Sequence, residues 1–257
     1  MLSAAQRLEL ETRGVVCLRG AVDPRVTSEL RARILAFIAE RRLAKSAEPG
    51  FTIHPSKTGP LLRALPFAEL WGEGVIGALD AVLGAGAWTV PKFAGQLLAM
   101  SFPFRGAAWQ LPHSVWHLDY QAPGSAVRLP GLQPFLCVDR VEPRSGATLV
   151  VAGSCRLIDA LRLRAGRKFS GRSAEVRGQL LREVPWLREL CSRREGEDRV
   201  ARFMDRATLH QDVSLQVVEL TGDPGDVWLM HPWTLHAPSV NCGERPRMVV
   251  TERVRTG

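Results

Sequence analysis

The segment from Gly225 to Val250 constrains the fold of this chain more than any other. Val227–Met230 is continuously apolar and predicts a buried strand. The next residues, His231–Asn241, predict a turn that carries two histidines, and a second strand comes after it that opens with arginine at Arg245 and Arg247. Paired short strands joined by a polar turn are typical of a β-sandwich or barrel.

An upstream segment supplies a complementary pair of polar side chains. Trp116-His117-Leu118-Asp119-Tyr120 contains a His-x-Asp motif, and residues i and i+2 of a strand point to the same face. We therefore expect His117 and Asp119 to project together. With one histidine of the later segment they form a 2-His-1-carboxylate set. That set leaves coordination positions open on Fe(II) and is typical of non-heme iron oxygenases.

Composition is that of an ordinary globular protein. The chain has 257 residues, 46% hydrophobic and 23% charged, which predicts one domain over residues 1–257. No apolar run reaches the length of a membrane span, and the N-terminus lacks the pattern of a secretory signal. The five cysteines are dispersed without a CxxC pair, which favours reduced thiols and a cytoplasmic location.

The net charge of +8 is carried mainly by arginine, without a block of consecutive basic residues. We interpret it as a compositional bias, so a small-molecule substrate is expected and a nucleic-acid partner is not.

Periodicity divides the chain into four parts. Residues 1–87 are predicted to be a mostly helical N-terminal buttress, and the period changes to that of strands near residue 88. Two stretches form the predicted β-core and a largely helical insertion separates them. The two β-core stretches are residues 88–153 and 213–253, and the helical insertion is residues 154–212. The predicted fold is mainly β with flanking helices, around a double-stranded β-helix core of the jelly-roll or cupin-like type.

Caps and turn residues give finer predictions. Helices are expected at 2–13, from Pro24 to about Ala44, at 67–84 and within 154–194, and loops at 45–60 and 122–132.

Two His-x-Asp motifs compete for the metal, because His210 and Asp212 repeat the spacing of His117 and Asp119. In a double-stranded β-helix the pair and the distal histidine lie on strands separated by several others, which needs on the order of fifty residues. His117 and His236 are 119 positions apart, whereas His210 and His236 are only 26 apart. The spacing favours His117 and Asp119 and leaves His210 and Asp212 as structural or surface residues.

His231 and His236 are both candidates for the distal ligand. His236 is favoured by the arginines that come after it, because Arg245 and Arg247 are two apart and are expected to share a strand face beside the metal. A guanidinium there can hold a carboxylate with two parallel hydrogen bonds. A metal site with a carboxylate clamp implies a dicarboxylate co-substrate.

The ordered set of motifs resembles the phytanoyl-CoA dioxygenase-like family of Fe(II)/2-oxoglutarate oxygenases, from about residue 95 to 253. Its blocks are Trp116–Asp119, Ser145–Ser154, Gly225–Asn241 and Arg247, which lies eleven residues after His236. The resemblance implies that His117, Asp119 and His236 bind Fe(II). It also implies that Arg247 binds 2-oxoglutarate and that dioxygen is the second co-substrate. Phe135 matches a site-facing aromatic position, and Gln96 is a third predicted cofactor contact.

The resemblance implies a specific reaction class. Asp119 retains the carboxylate, which favours hydroxylation of a small molecule or acyl conjugate over halogenation. Cys155 and Pro238 depart from the family pattern, and Pro238 leaves more of the co-substrate carboxylate to Arg247. Two alternatives remain open. One is a catalytically inactive β-barrel binding module, and the other is a nucleic-acid demethylase that uses the same chemistry.

Overall fold

The computed structural model describes residues 2–43, 52–53, 55–121, 129–193 and 198–257. The helices among these residues are α1 (Ala4–Arg13), α2 (Pro24–Glu40), α3 (Pro55–Arg63), α4 (Phe67–Leu83), α5 (Ser154–Ala165), α6 (Ser173–Glu183), α7 (Pro185–Leu190) and α8 (Arg199–Phe203). The strands are β1 (Val15–Leu18), β2 (Leu97–Ser101), β3 (Gly131–Cys137), β4 (Thr148–Ala152), β5 (Thr208–His210), β6 (Val213–Glu219), β7 (Val227–Met230), β8 (His236–Pro238), β9 (Arg247–Thr251) and β10 (Val254–Arg255).

Two antiparallel sheets form the core of the protein. The larger has the order β1-β7-β3-β9-β2, with β10 paired to β3, and the smaller has the order β5-β6-β4-β8. The predicted jelly-roll core with flanking helices is confirmed, although among the described residues the sheets do not close into a barrel. β1, from the N-terminal part of the chain that was predicted to be mostly helical, forms one edge of the larger sheet.

Successive side chains of each strand point alternately into the space between the two sheets, here called the interior, and toward the outer face of the sheet. On β9, Met248 and Val250 pack with the N-terminal helices, whereas Val249 packs in the cluster between the sheets. That cluster also contains Phe135 of β3 and Val150 of β4, so side chains of both sheets meet there. Because side chains alternate along a strand, Arg247 and Thr251 share the interior face with Val249. The interior therefore combines an apolar centre with polar side chains.

Helices cover both outer faces of the sandwich. Residues of α2, α3 and α4 pack on the larger sheet, and residues of α5, α6 and α7 pack on the smaller sheet. Most of the described residues between 154 and 207 lie in helices, and the short strand β5 comes after them and pairs with β6. No described helix has both the length and the apolar content that a membrane crossing requires.

Some sequence-based boundaries were wrong. The helix predicted to reach Ala44 ends at Glu40, and the loop predicted at 45–60 is helical from Pro55 onward as part of α3. The rest of that loop, apart from Thr52 and Ile53, and the predicted loop at 122–132 up to residue 128 lie outside the described residues. Pro60 lies inside α3, so a proline did not end the helix there.

The side chain of Asp226, just before β7, is hydrogen-bonded to the residues that follow β1. Its buried carboxylate accepts hydrogen bonds from Arg19 Nη1 at 2.6 Å, from the Gly20 backbone N–H at 2.8 Å and from the Asp223 backbone N–H at 3.0 Å. Burial on its own would raise the pKa of Asp226, but these three donors outweigh burial and the pKa lies below its ordinary value.

Asp226→Asn is expected to lower the free energy of unfolding by about 2 kcal/mol at neutral pH, because charge-assisted hydrogen bonds are lost. A depressed folded-state pKa gives stability that is present above the unfolded pKa, near 3.9, and is lost as the pH falls through the folded value. Urea unfolding from pH 7 to pH 3 should therefore show the difference between wild type and variant shrinking below about pH 4. Asp223→Asn, at an exposed partner of Arg140, is the control and should change stability by less than about 0.5 kcal/mol. A difference for Asp226→Asn that is independent of pH would contradict this role.

Candidate metal and co-substrate site

His117 and His236 are held together by their own backbones. The His117 N–H donates to His236 O at 2.9 Å, and the His236 N–H donates to His117 O at 3.1 Å. This antiparallel bridge joins the segment before Asp119 to β8 of the smaller sheet. Residues that exchange both backbone hydrogen bonds lie directly opposite each other, which brings their side chains together. The imidazole centroids are accordingly 4.2 Å apart.

Asp119 completes a three-membered cluster. Its Oδ1 lies 3.6 Å from His117 Nε2 and its Oδ2 lies 3.5 Å from His236 Nε2. One ligand atom from each of the three residues falls within 4.8 Å of the others, so the three atoms could hold one metal ion. The three residues are drawn from two segments that are far apart in the sequence, as the spacing argument predicted.

Backbone carbonyls orient both imidazoles. His117 Nδ1 contacts Val115 O at 2.9 Å and His236 Nδ1 contacts Thr234 O at 3.1 Å. A carbonyl oxygen only accepts, so Nδ1 carries the hydrogen in each ring and the Nε2 lone pairs are free to bind a metal. Burial, together with neighbouring His236, lowers the pKa of His117 and favours the neutral imidazole that a metal requires.

Asp119 is held by a buried amide. Gln133 Nε2, on β3, donates to Asp119 Oδ2 at 2.8 Å. Burial opposes ionisation of Asp119, but its neighbours His236 and Gln133 hold its pKa below the ordinary value. The carboxylate is therefore ionised, as a metal ligand must be.

The His-x-Asp segment is not a regular strand, which corrects the expectation for it. His117 forms a single bridge, Asp119 lies in a bend, and Val115 has a positive φ of 61°. Such a φ is an outlier for a β-branched residue and marks a strained turn. The strained turn places the Val115 carbonyl against the His117 ring, so local backbone shape brings the two ligands together rather than strand alternation.

Arg247 is a buried cation without an acidic partner among the described residues. It opens β9 on the interior face and is 7% exposed. Its Nη2 donates to Thr148 Oγ1 of β4 at 2.7 Å, and its Nε has no hydrogen-bond partner. Burial lowers the pKa of Arg247 to about 10, the direction expected for a desolvated cation without a counter-charge. A bound carboxylate would supply the charge and fill the free Nε.

Two neighbouring features fit an anion at Arg247. Ser101 of β2 pairs with Arg247 across the sheet, and its buried hydroxyl has no hydrogen-bond partner. Gly146, with φ 83°, allows the turn before β4 to approach, because a Cβ there would lie 2.7 Å from Ser101 Oγ. A hydroxyl and a guanidinium with unused donors are a suitable cradle for a carboxylate.

Arg245 does not share the site, contrary to the expectation from its spacing. It lies in a bend before β9 and is exposed, whereas Arg247 is buried. The prediction assumed that side chains alternate between two faces from Arg245 onward. Arg245 precedes β9, and this alternation holds only within a strand.

Phe135 and Gln96 occupy different places relative to Arg247. Phe135 is 5% exposed and packs between the sheets with Val249. Gln96 precedes β2, and its backbone N–H donates to Thr251 O at the far end of β9 from Arg247. At about 3.3 Å per residue that end is roughly 13 Å from Arg247. The predicted cofactor contact of Gln96 stays a prediction.

The remaining histidine candidates lie away from the cluster. His231 is partly exposed, burial of its ring lowers its pKa to about 4, and its Nδ1 accepts from the Trp233 backbone N–H at 3.1 Å. His210 ends β5, and Asp212 forms an ion pair with Arg156 at 2.6 Å. None of these three is in the only metal-sized group that the described residues form.

The family model for phytanoyl-CoA dioxygenase (PhyH) matches residues 10–249. That range covers nearly the whole chain, including all three members of the cluster and Arg247. The chain belongs to the phytanoyl-CoA dioxygenase family. Membership confirms the predicted enzyme class, a dioxygenase that depends on Fe(II) and 2-oxoglutarate. No curated protein sequence matches the chain.

Solved structures share the fold of this family member at low identity. EctD from S. alaskensis, in its apo form, is 16% identical with a TM-score of 0.52, and the match covers 99% of this chain and 77% of EctD. EctD has also been solved with 2-oxoglutarate and 5-hydroxyectoine.

Two further structures match over most of their length. EvdO2 from Micromonospora carbonacea var. aurantiaca, complexed with 2-oxoglutarate, is 14% identical with a TM-score of 0.52, covering 100% of this chain and 92% of EvdO2. AviO1 from Streptomyces viridochromogenes Tue57 is 14% identical with a TM-score of 0.53, covering 98% of this chain and 94% of AviO1. At these identities the likeness extends to the fold alone.

Three polar residues of the site were not predicted from the sequence: Gln133, Thr148 and Ser101. Each is a buried polar residue within or at the end of an otherwise apolar strand. A polar side chain in such a strand must find a partner, which is the signal that could have found them.

Proposed function

We propose that the protein is a hydroxylase that acts on an unactivated C–H bond of a small molecule or acyl conjugate. His117, Asp119 and His236 would hold Fe(II), and Arg247 would bind the far carboxylate of 2-oxoglutarate. When bound, Fe(II) with 2-oxoglutarate and dioxygen supplies the oxidising power, with succinate and CO2 as co-products. The observation that supports the proposal best is the convergence of the three ligand atoms within 4.8 Å, with carbonyls fixing both imidazoles.

The protein's own groups would bind and orient the reactants. Arg247 offers its free Nε and an Nη to two carboxylate oxygens, while Thr148 fixes the plane of the guanidinium. The Ser101 hydroxyl is a further donor beside it. Phe135 and Val249 provide apolar walls between the sheets, which exclude water from the site.

The purified protein is expected to convert 2-oxoglutarate to succinate only with added Fe(II) and dioxygen. We expect slow turnover without a primary substrate, and anaerobic titration should show one Fe(II) per chain. Chelation of the metal should abolish succinate formation, and re-addition of Fe(II) should restore it. Mass spectrometry of succinate measures the reaction.

Zn²⁺-loaded protein is the matched control, because Zn²⁺ can occupy the same ligands but has no redox chemistry. It should bind 2-oxoglutarate without forming succinate. Stoichiometric Fe(II) binding without any succinate, both alone and across a panel of candidate substrates, would favour the inactive binding module.

A further inference from the structure

A cavity of about 170 Å³ adjoins the proposed metal ligand Asp119 at the end of β9 farthest from Arg247. It is lined by Asp119, by one leucine and by five other polar residues: Gln96, Gln133, Thr251, Glu252 and Arg253. Arg247 opens β9 and Thr251 closes it. The metal cluster therefore has the arginine toward one end of the strand and this polar cavity toward the other.

Two buried polar atoms of the cavity residues have no hydrogen-bond partner. They are Gln133 Oε1 and Thr251 Oγ1. The orientation of the Gln133 amide is set by its other end, because Nε2 donates to the Asp119 carboxylate. Gln133 Oε1 can only accept, and Thr251 Oγ1 can accept as well as donate. Unpaired buried polar groups are uncommon, so a ligand that donates hydrogen bonds would satisfy them.

Glu252 adds a buried carboxyl group that lacks an ion pair among the described residues. It is 5% exposed, and its Oε1 accepts one hydrogen bond, from the Arg253 backbone N–H at 2.9 Å. An ionised carboxylate can accept about four hydrogen bonds. Burial raises the pKa of Glu252 even though the charges of Arg253 and Arg255 oppose this. A cationic ligand would supply the missing counter-charge.

The one basic side chain among the cavity residues, Arg253, is partly engaged by its neighbours. Arg253 Nε donates to Gln96 Oε1 at 3.0 Å, and its Nη1 donates to the Asp119 backbone O at 3.3 Å. Arg253 is also half-buried, so solvent screens its charge more than that of Glu252. Two of the five N–H donors of Arg253 are therefore used, while the Glu252 carboxylate, the Gln133 amide oxygen and the Thr251 hydroxyl still offer acceptors to a ligand.

We propose that this cavity binds the primary substrate and that Glu252 selects a substrate with a protonated amino group near the carbon to be oxidised. The inference rests on the proposed function, because it takes Asp119 as a metal ligand. The ammonium would donate to the Glu252 carboxylate and the Gln133 amide oxygen, with Thr251 Oγ1 as a third acceptor. Among the substrate classes left open, this favours an amine over a purely hydrocarbon chain.

Three probes of similar shape test the inference: n-butylammonium, n-butanol and butyrate. Each is titrated calorimetrically into protein loaded with Fe(II) and 2-oxoglutarate without oxygen. We expect n-butylammonium to bind about 10-fold or more tighter than n-butanol, since hydrogen bonds to charged groups exceed neutral ones by this order. Butyrate should bind most weakly. The net charge of +8 disfavours unspecific binding of a cation, so the preference reports the cavity.

Glu252→Gln keeps the shape and removes the charge. It should weaken n-butylammonium by about 10-fold and change n-butanol by less than about 3-fold. Glu219→Gln is the matched control, because Glu219 also accepts one backbone N–H, from Arg144, and ends β6 outside the cavity. It should leave all three affinities unchanged.

Equal affinity for the alcohol and the ammonium, a preference for butyrate, or no binding of any probe at millimolar concentration would overturn the inference. The wild-type comparison decides this even if Glu252→Gln does not fold. Binding is measured without turnover, so the two proposals fail separately. A preference for ammonium without succinate formation would refute the proposed reaction, and succinate formation without that preference would refute the role of Glu252.

Discussion

Arg247→Met is expected to raise the KM for 2-oxoglutarate by about 30-fold or more while leaving the protein at least as stable as wild type. Losing one partner of a buried charge pair costs about 2–5 kcal/mol of binding, and each 1.4 kcal/mol is a factor of ten. The free energy of unfolding should increase, because the guanidinium of the wild-type protein is buried without an acidic partner among the described residues. Methionine fills similar space without a desolvation cost, so we expect a gain of roughly 1–3 kcal/mol.

Succinate kinetics and urea unfolding of the same preparation measure the two effects. Arg245→Met is the matched control, because Arg245 is exposed and precedes the strand. Its KM should stay within about 2-fold of wild type, as for surface substitutions away from a site. Normal affinity for 2-oxoglutarate in Arg247→Met would mean that another residue binds the far carboxylate.

Asp119→Ala is expected to remove Fe(II) binding and succinate formation together. The variant leaves two imidazoles and no anionic ligand, and it also leaves the Gln133 amide without its acceptor. Loss of a residue that only supports a ligand already costs about 10- to 100-fold in metal affinity, so loss of a ligand should cost at least about 100-fold. Anaerobic Fe(II) titration and succinate formation measure the two losses.

The second His-x-Asp motif supplies the control for this variant. Asp212→Ala breaks only an exposed ion pair with Arg156, and its iron stoichiometry and turnover should equal those of wild type. If Asp212→Ala lost iron and Asp119→Ala kept it, the assignment of the two motifs would be reversed.

Much of the fold could be predicted from the sequence because its strands and helices carry clear periodicity. Val227–Met230 and residues 149–152 are continuously apolar and lie in strands, as expected for segments buried on both faces. Helices within residues 154–194 were also predicted from the sequence. Local pattern could not reveal the start of α3 at Pro55, since proline and glycine there read as a loop. Nor could it reveal β10, whose two residues form a strand only by pairing with β3.

The three residues of the metal cluster could be predicted from the sequence, but the backbone geometry that brings them together could not. The order and spacing of His117, Asp119 and His236 indicated one site, and the structure brings the three together. The strained turn at Val115 and the support from Gln133 depend on which segments become neighbours in space. Strand pairing is a long-range property, so the polar partners inside the sandwich could not be assigned from a single sequence. The single domain and the cytoplasmic location stay predictions.

The reciprocal backbone bridge between His117 and His236 has a consequence for insertions and deletions. The two backbone hydrogen bonds align the imidazoles, so adding or removing one residue beside either histidine would break the pairing that brings them together. Exposed connections within the intervening chain carry no such requirement, because lengthening a surface connection adds only a slowly growing entropic cost. A change of length is therefore tolerated at an exposed loop of this chain, whereas the residues that flank His117 and His236 must keep their number if the two imidazoles are to meet.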